Sequence, residues 1–102
     1  MPTMKEMIEE GTIYTRLYNV LFSAYKDNKF KCYEKTYGVG DSLEDHFRIM
    51  RMPDYISPDI QFENSTLDNV LLFLNISQPE DVAHFENAGK KTVEELRKVW
   101  PF

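Results

Sequence analysis

The chain has 102 residues, 42% of them hydrophobic, which suits one domain with a modest core and leaves no room for two. Its formal charge of -5 argues against non-specific nucleic-acid binding over the whole surface, while twelve Lys and Arg residues still allow local basic patches. A single cysteine excludes an internal disulfide, and with only two histidines beside it there is no cluster of soft ligands for a structural metal.

No stretch reaches the ~20 apolar residues that cross a bilayer, and MPTMKEMIEEG carries acids where a secretory leader has bases and then an apolar run. The expectation is a soluble, cytoplasmic protein with no membrane partner and no cofactor. Cys32 is expected to be a buried or half-buried thiol.

Thr3-Met4-Lys5-Glu6 has the Thr-x-x-Glu form of a capping box, so a short helix is predicted from near Met4 to Gly11, a residue suited to a left-handed exit. A second helix starts from Thr12. Ile13, Leu17, Val20, Leu21 and Ala24 recur at helical spacing, with Tyr14, Tyr18, Phe22 and Tyr25 as an adjacent aromatic stripe. Asp27-Asn28 reads as its end.

From Lys29 to about Met52 the pattern turns to alternation and β-favouring residues, in KFKCYEKTY and again in HFRIMRM, with Gly38-Val-Gly-Asp-Ser between them. A β-hairpin or an irregular segment with short strands is predicted there. Pro53 and Pro58 mark residues 53–64 as an irregular connection.

Ser65 or Thr66 then caps a helix with Leu67, Val70, Leu71 and Leu74 on one face, and Ser77-Gln-Pro-Glu80 reads as a second capping box with proline in the first turn. A short helix follows from Pro79 to about Glu86. Asn87-Ala88-Gly89 turns the chain into a final helix, Lys90 to Trp100, which buries Val93, Leu96 and Trp100 before Pro101 stops it. The last third is therefore a helical hairpin.

The hairpin has chemistry to offer. A helix start leaves backbone N–H groups unpaired and carries partial positive charge, so it attracts an anion, and a glycine before it lets phosphate come close. Lys90 and Lys91 add mobile charge and Thr92 a hydroxyl. The stretch is not a nucleotide P-loop, because the earlier glycine, the four-residue spacer and the preceding strand are absent.

LLFLNISQPEDVAHFENAGKKTVEELRKVW, from Leu71 to Trp100, resembles the second half of the C-terminal domain of the bacterial RNA polymerase alpha subunit, a helix-hairpin-helix fold whose last helix opens from a Leu-Gly-Lys-Lys-Ser turn. Arg16-Leu-Tyr-Asn19-Val-Leu21 fits the Arg-x-x-Asn-x-Leu motif that begins that family's first core helix. The resemblance implies a mainly α, compact helix-hairpin-helix domain of four to five helices, one domain over residues 1–102, with 12–26 and 65–100 as its helical core. Residues 27–64 stand where the family has only a short link, so they read as an insertion. Met1 opens the chain with no assembly domain ahead of it, which implies a free-standing relative.

By the same resemblance Arg16 enters the DNA minor groove with Asn19 supporting it, while Gly89, Lys91 and Thr92 grip the backbone, with Lys90 beside them. Double-stranded DNA, A-tracts in particular, is the implied partner, and RNA polymerase or a transcription regulator a further one. The alternative function is a protein-interaction module that binds the polymerase or a regulator without touching DNA.

Blander readings stand beside these. Arg16 and Asn19 also suit a solvated position and an inter-element hydrogen bond, and the tyrosine stripe suits core packing more than base stacking. Gly38-Val-Gly40 suits a turn more than an anion nest, and Asp41, Glu44 and Asp45 lack the spacing of a calcium loop. His46 and His84 have no nucleophile or carboxylate partner by sequence, and Glu94-Glu95 point to different helix faces, so an enzyme is not expected.

Overall fold

The first helix begins where its capping box is written. In a computed structural model that describes residues 1–37 and 57–102, α1 spans Met4–Glu9, the Thr3 hydroxyl accepts from the Glu6 N–H, and the Glu6 carboxylate accepts from the Thr3 N–H. Gly11 ends it with φ of 75°; the Thr12 N–H reaches back to the Met7 carbonyl and the Gly11 N–H to the Ile8 carbonyl. This is the paired closure that a left-handed residue after a helix makes possible.

The second helix, α2, runs Thr15–Tyr37, far past its predicted end at Asp27-Asn28. Asn28 does not stop it because its side-chain amide donates 2.8 Å to the Ala24 carbonyl one turn back, staying within the helix. Lys29 lays its ammonium over the rings of Tyr25 and Phe73, at 5.5 and 4.6 Å from their centroids. The first strand predicted for the hairpin, in KFKCYEKTY, is therefore helical, and no strand occurs among the described residues. The second predicted strand and Gly38-Val-Gly40 lie outside the described residues. Cys32, expected at least half-buried, is exposed on this part of α2.

A third helix, α3, covers Pro58–Glu63 within the stretch read as irregular. Ser57 caps it by accepting from the Asp59 N–H, and Pro58 occupies the first turn, where its missing N–H is no loss. Phe62, inside the span read as an insertion, is completely buried. Its ring meets Tyr18 and Phe22 edge-on at 5.1 and 5.2 Å and tilts against Tyr25 at 5.5 Å.

Next, α4 spans Leu67–Phe73 from Thr66, whose hydroxyl bonds the Asp68 carboxylate and not a backbone N–H. Asn75, with φ of 59°, closes it, and the Ile76 N–H returns 2.9 Å to the Leu71 carbonyl. A 3-10 helix, Pro79–His84, follows. Its capping acid is Asp81, one residue later than predicted: its carboxylate accepts from the N–H groups of Ser77 and Gln78 and from the Ser77 hydroxyl. Glu80 instead pairs with Arg97.

The final helix, α5, is Lys90–Val99 and packs mainly on the 3-10 helix, while α2 lies against α3 and α5. Buried residues from Met4 to Leu96 form one cluster, in which α2 supplies Leu17, Val20, Leu21, Ala24 and Tyr25. An antiparallel bridge between Thr3 and Thr66, with the Met4 N–H 2.8 Å from the Ser65 carbonyl, ties the start of the chain to the turn before α4. Each large apolar side chain so buried contributes about 1.5–3 kcal/mol before chain entropy is counted. No helix among the described residues is long and apolar enough to cross a membrane.

Candidate nucleic-acid interface

Two segments carry the predicted contacts, and the fold decides how they meet. Arg16 and Asn19 are exposed on the first turns of α2, and Val20 and Ser23 continue the same face at helical spacing. Opposite them stand Glu86 and Asn87, in the turn between the 3-10 helix and α5. Together these six residues line a half-open groove of about 280 Å³.

The start of α5 supplies the second segment. Its first internal bond is the Val93 N–H to the Gly89 carbonyl at 3.2 Å, so the N–H groups of Lys90, Lys91 and Thr92 precede the helical ladder. Gly89 caps the helix with φ of -124° and no side-chain bond, and a Cβ placed there meets nothing within 4 Å. Neither backbone conformation nor crowding within the fold demands glycine at this position. The left-handed residue of the turn is Asn87, with φ of 64°.

Lys90 and Lys91 are exposed, but Thr92 is not. Its side chain is completely buried on the inner face of α5, four residues before the equally buried Leu96, and its hydroxyl has no hydrogen-bond partner. The expected phosphate contact from the Thr92 hydroxyl is thereby corrected: the hydroxyl faces the core. The repeat of Thr92 and Leu96 along the helix carried this signal in the sequence, since residues four apart share a face.

What joins the two segments is a residue that sequence reasoning missed. The Arg16 guanidinium donates from Nη1 to Glu95 Oε1 at 2.8 Å, the Arg16 side chain being 50% exposed and that of Glu95 12%. Glu95 Oε2 is buried without a partner. Because Glu95 lies four residues after Lys91, the two share one face of α5, and Lys91 stands one turn from the carboxylate that holds Arg16. Nothing in the spacing of Glu95 announces this pairing; it exists because α2 and α5 dock.

Several other charges are committed elsewhere. Lys26 pairs with Asp59 at 3.2 Å and lies over the Phe22 ring at 5.2 Å. The carboxyls of Asp81 and Glu6 are held below their ordinary range, in each case first by a backbone N–H, of Ser77 and of Thr3, and next by the hydroxyl of the same residue. Glu80 is lowered as well, by its own backbone N–H and then by the Arg97 guanidinium. Asp68 is lowered chiefly by the Thr66 hydroxyl. Burial first, then the carboxylates of Glu63, Asp59 and Glu9, push the Tyr18 phenol up.

Of the tyrosine stripe, Tyr25 is buried, Tyr18 is half-buried against Phe62, and only Tyr14 is largely exposed. Among the described residues no three His, Cys, Asp or Glu side chains come together as a metal site. His46, Asp41, Glu44 and Asp45 lie outside the described residues, as do Arg48 and Arg51. Comparison with known proteins finds no matching family model, no matching curated protein and no matching solved structure.

Proposed function

We propose that the protein binds double-stranded DNA in the manner of the RNA polymerase alpha C-terminal domain, a helix-hairpin-helix module, and acts in transcription regulation in the cytoplasm. The helix start at Gly89, Lys90 and Lys91 docks on the phosphate backbone, which positions the protein without reading sequence. Arg16, with Asn19 beside it, enters the minor groove, where narrow A-tracts concentrate negative potential. The observation that carries this reading is the Arg16–Glu95 pair, which sets Arg16 against α5 one helical turn from Lys91. The open space at the Gly89 Cα supports it further, since close approach of a ligand is a reason for glycine that the fold itself does not supply.

Titration of a labelled A-tract duplex and a mixed-sequence duplex, followed by fluorescence anisotropy, tests the proposal. The expected result is tighter binding to the A-tract by the wild type and loss of that difference in Arg16→Ala. Equal affinities for both duplexes in the wild type count against a minor-groove role for Arg16.

A second reading has its own observation. Glu86 lines the groove beside Arg16 and Glu95 pairs with Arg16, so carboxylates offset the charge of that surface, which favours a protein partner such as RNA polymerase or a regulator over a polyanion. Capture of purified RNA polymerase that is unchanged by Lys91→Ala, together with no duplex binding at low salt, is the outcome that favours this rival.

A further inference from the structure

The groove between α2 and the Glu86–Asn87 turn has a chemistry distinct from that of a phosphate site. Arg16 is engaged by Glu95, and Glu86 brings a carboxylate to the lining, so the groove opposes a second anion. Its remaining polar groups are two carboxamides, Asn19 and Asn87, and the Ser23 hydroxyl. Neither these three side chains nor that of Glu86 has a hydrogen-bond partner among the described residues. Val20, only 5% exposed, adds an apolar patch to that lining. At about 280 Å³ the space falls short of a drug-sized cavity and suits one small planar group.

We propose that the groove formed by Arg16, Asn19, Val20, Ser23, Glu86 and Asn87 receives a single unpaired nucleobase that presents, on its pairing edge, an exocyclic amine beside a ring acceptor, as adenine and cytosine do. The inference rests on the DNA-binding reading and deepens it. A carboxamide matches that edge in two bonds, accepting from the amine and donating to the ring nitrogen, and a carboxylate accepts the second amine hydrogen. Thymine has no exocyclic amine: its pairing edge sets one ring N–H between two carbonyl oxygens, so the amine contact to the Glu86 carboxylate is lost and the ring nitrogen donates where adenine and cytosine accept. The base must be unpaired because its recognised edge is otherwise in use, and extrusion is least costly where no partner base stands opposite. Phosphates on either side then fall to the α5 start and its lysines.

The experiment uses the full chain and four labelled duplexes, one fully paired and three carrying a single bulged adenine, cytosine or thymine, titrated at low salt with wild type and Glu86→Gln. The adenine or cytosine bulge is expected to bind about tenfold tighter than the thymine bulge, within the discrimination of one bidentate contact. In Glu86→Gln that ratio falls towards one. Preference for one of the two amine-bearing bases identifies which the groove takes. Equal affinity for all three bulges, or a preference untouched by Glu86→Gln, overturns the inference. Binding of the paired duplex without discrimination among bulges overturns it alone, whereas failure to bind any duplex overturns the DNA-binding reading itself.

Discussion

Arg16 and Glu95 stand 79 residues apart in sequence, yet the guanidinium of one lies 2.8 Å from the carboxylate of the other. The pair links the first turn of α2 to the middle of α5, and its two members differ in how they tolerate separation. Glu95 has little access to water and keeps one oxygen unpartnered, whereas half of the Arg16 side chain is already solvated.

That asymmetry predicts unequal mutants. Arg16→Ala strands the Glu95 carboxylate and lowers stability by about 1–3 kcal/mol, the range for a buried group left without its partner. Glu95→Gln removes the charge and leaves an arginine that water can serve, so the loss is smaller. Urea denaturation of both variants checks the order; a greater loss in Glu95→Gln contradicts it.

The turn into α5 separates two kinds of residue that look alike in sequence. Asn87 holds φ of 64°, so Asn87→Ala costs about 1 kcal/mol while Asn87→Gly is close to neutral. Gly89 has an extended backbone and open space around it, so Gly89→Ala changes stability by no more than about 0.5 kcal/mol. Under the proposed function the same Gly89→Ala change weakens duplex binding. Thermal unfolding and duplex titration of the three variants separate the structural role from the binding role.

Phe62 joins α3 to the aromatic side chains of α2, and it is fully buried. Phe62→Ala is expected to cost about 3–5 kcal/mol, a large share of the stability of a domain this size. Loss of near-ultraviolet circular dichroism at moderate urea is the measurement. A fall under about 1 kcal/mol in Phe62→Ala means that α3 is peripheral.

Acid acts through the capping carboxylates. Glu6 and Asp81 have folded-state pKa values below the ordinary carboxylate range because backbone N–H groups bond their charged forms. A lowered pKa stabilises the fold above the unfolded-state value, and that contribution disappears as pH falls through the folded-state value. Melting temperature is therefore flat near neutrality and drops on the acid side of the usual carboxylate range. Asp81→Asn lowers the neutral plateau and shallows the acid limb; an acid limb as steep as that of the wild type contradicts the assignment.

Much of the fold was legible where a local rule governs it. The Thr3–Glu6 box, the left-handed Gly11 and the apolar face of Leu67, Val70 and Leu71 all act within a few residues, and the structure agrees with each. The expectation of a strand in residues 29–37 fails because their alternation competes with a helix already nucleated upstream, which Asn28 and Lys29 extend through contacts one turn back or on another element. Pro53 and Pro58 hide the short helix α3 in the sequence, though Ser57-Pro58-Asp59 holds a usable cap signal.

The candidate site was legible in part. Arg16, Asn19, Gly89, Lys90 and Lys91 are all on the surface, and their motifs could be read along the chain. Thr92 departs from its expected role because it lies on the inner stripe with Leu96, where its hydroxyl is buried. Glu95 could not be found at all, because a pair formed between docked helices leaves no mark in local spacing.

The central claim is that Arg16 and Lys91 serve one DNA surface, and its most direct test is duplex binding across a salt series for wild type, Arg16→Ala and Lys91→Ala. The account predicts that log affinity falls linearly with log salt, and that Lys91→Ala reduces the slope by about 0.9, the share of one phosphate contact. It also predicts that Arg16→Ala abolishes the preference for A-tract over mixed sequence. No binding at low salt, or binding indifferent to both substitutions, would contradict it.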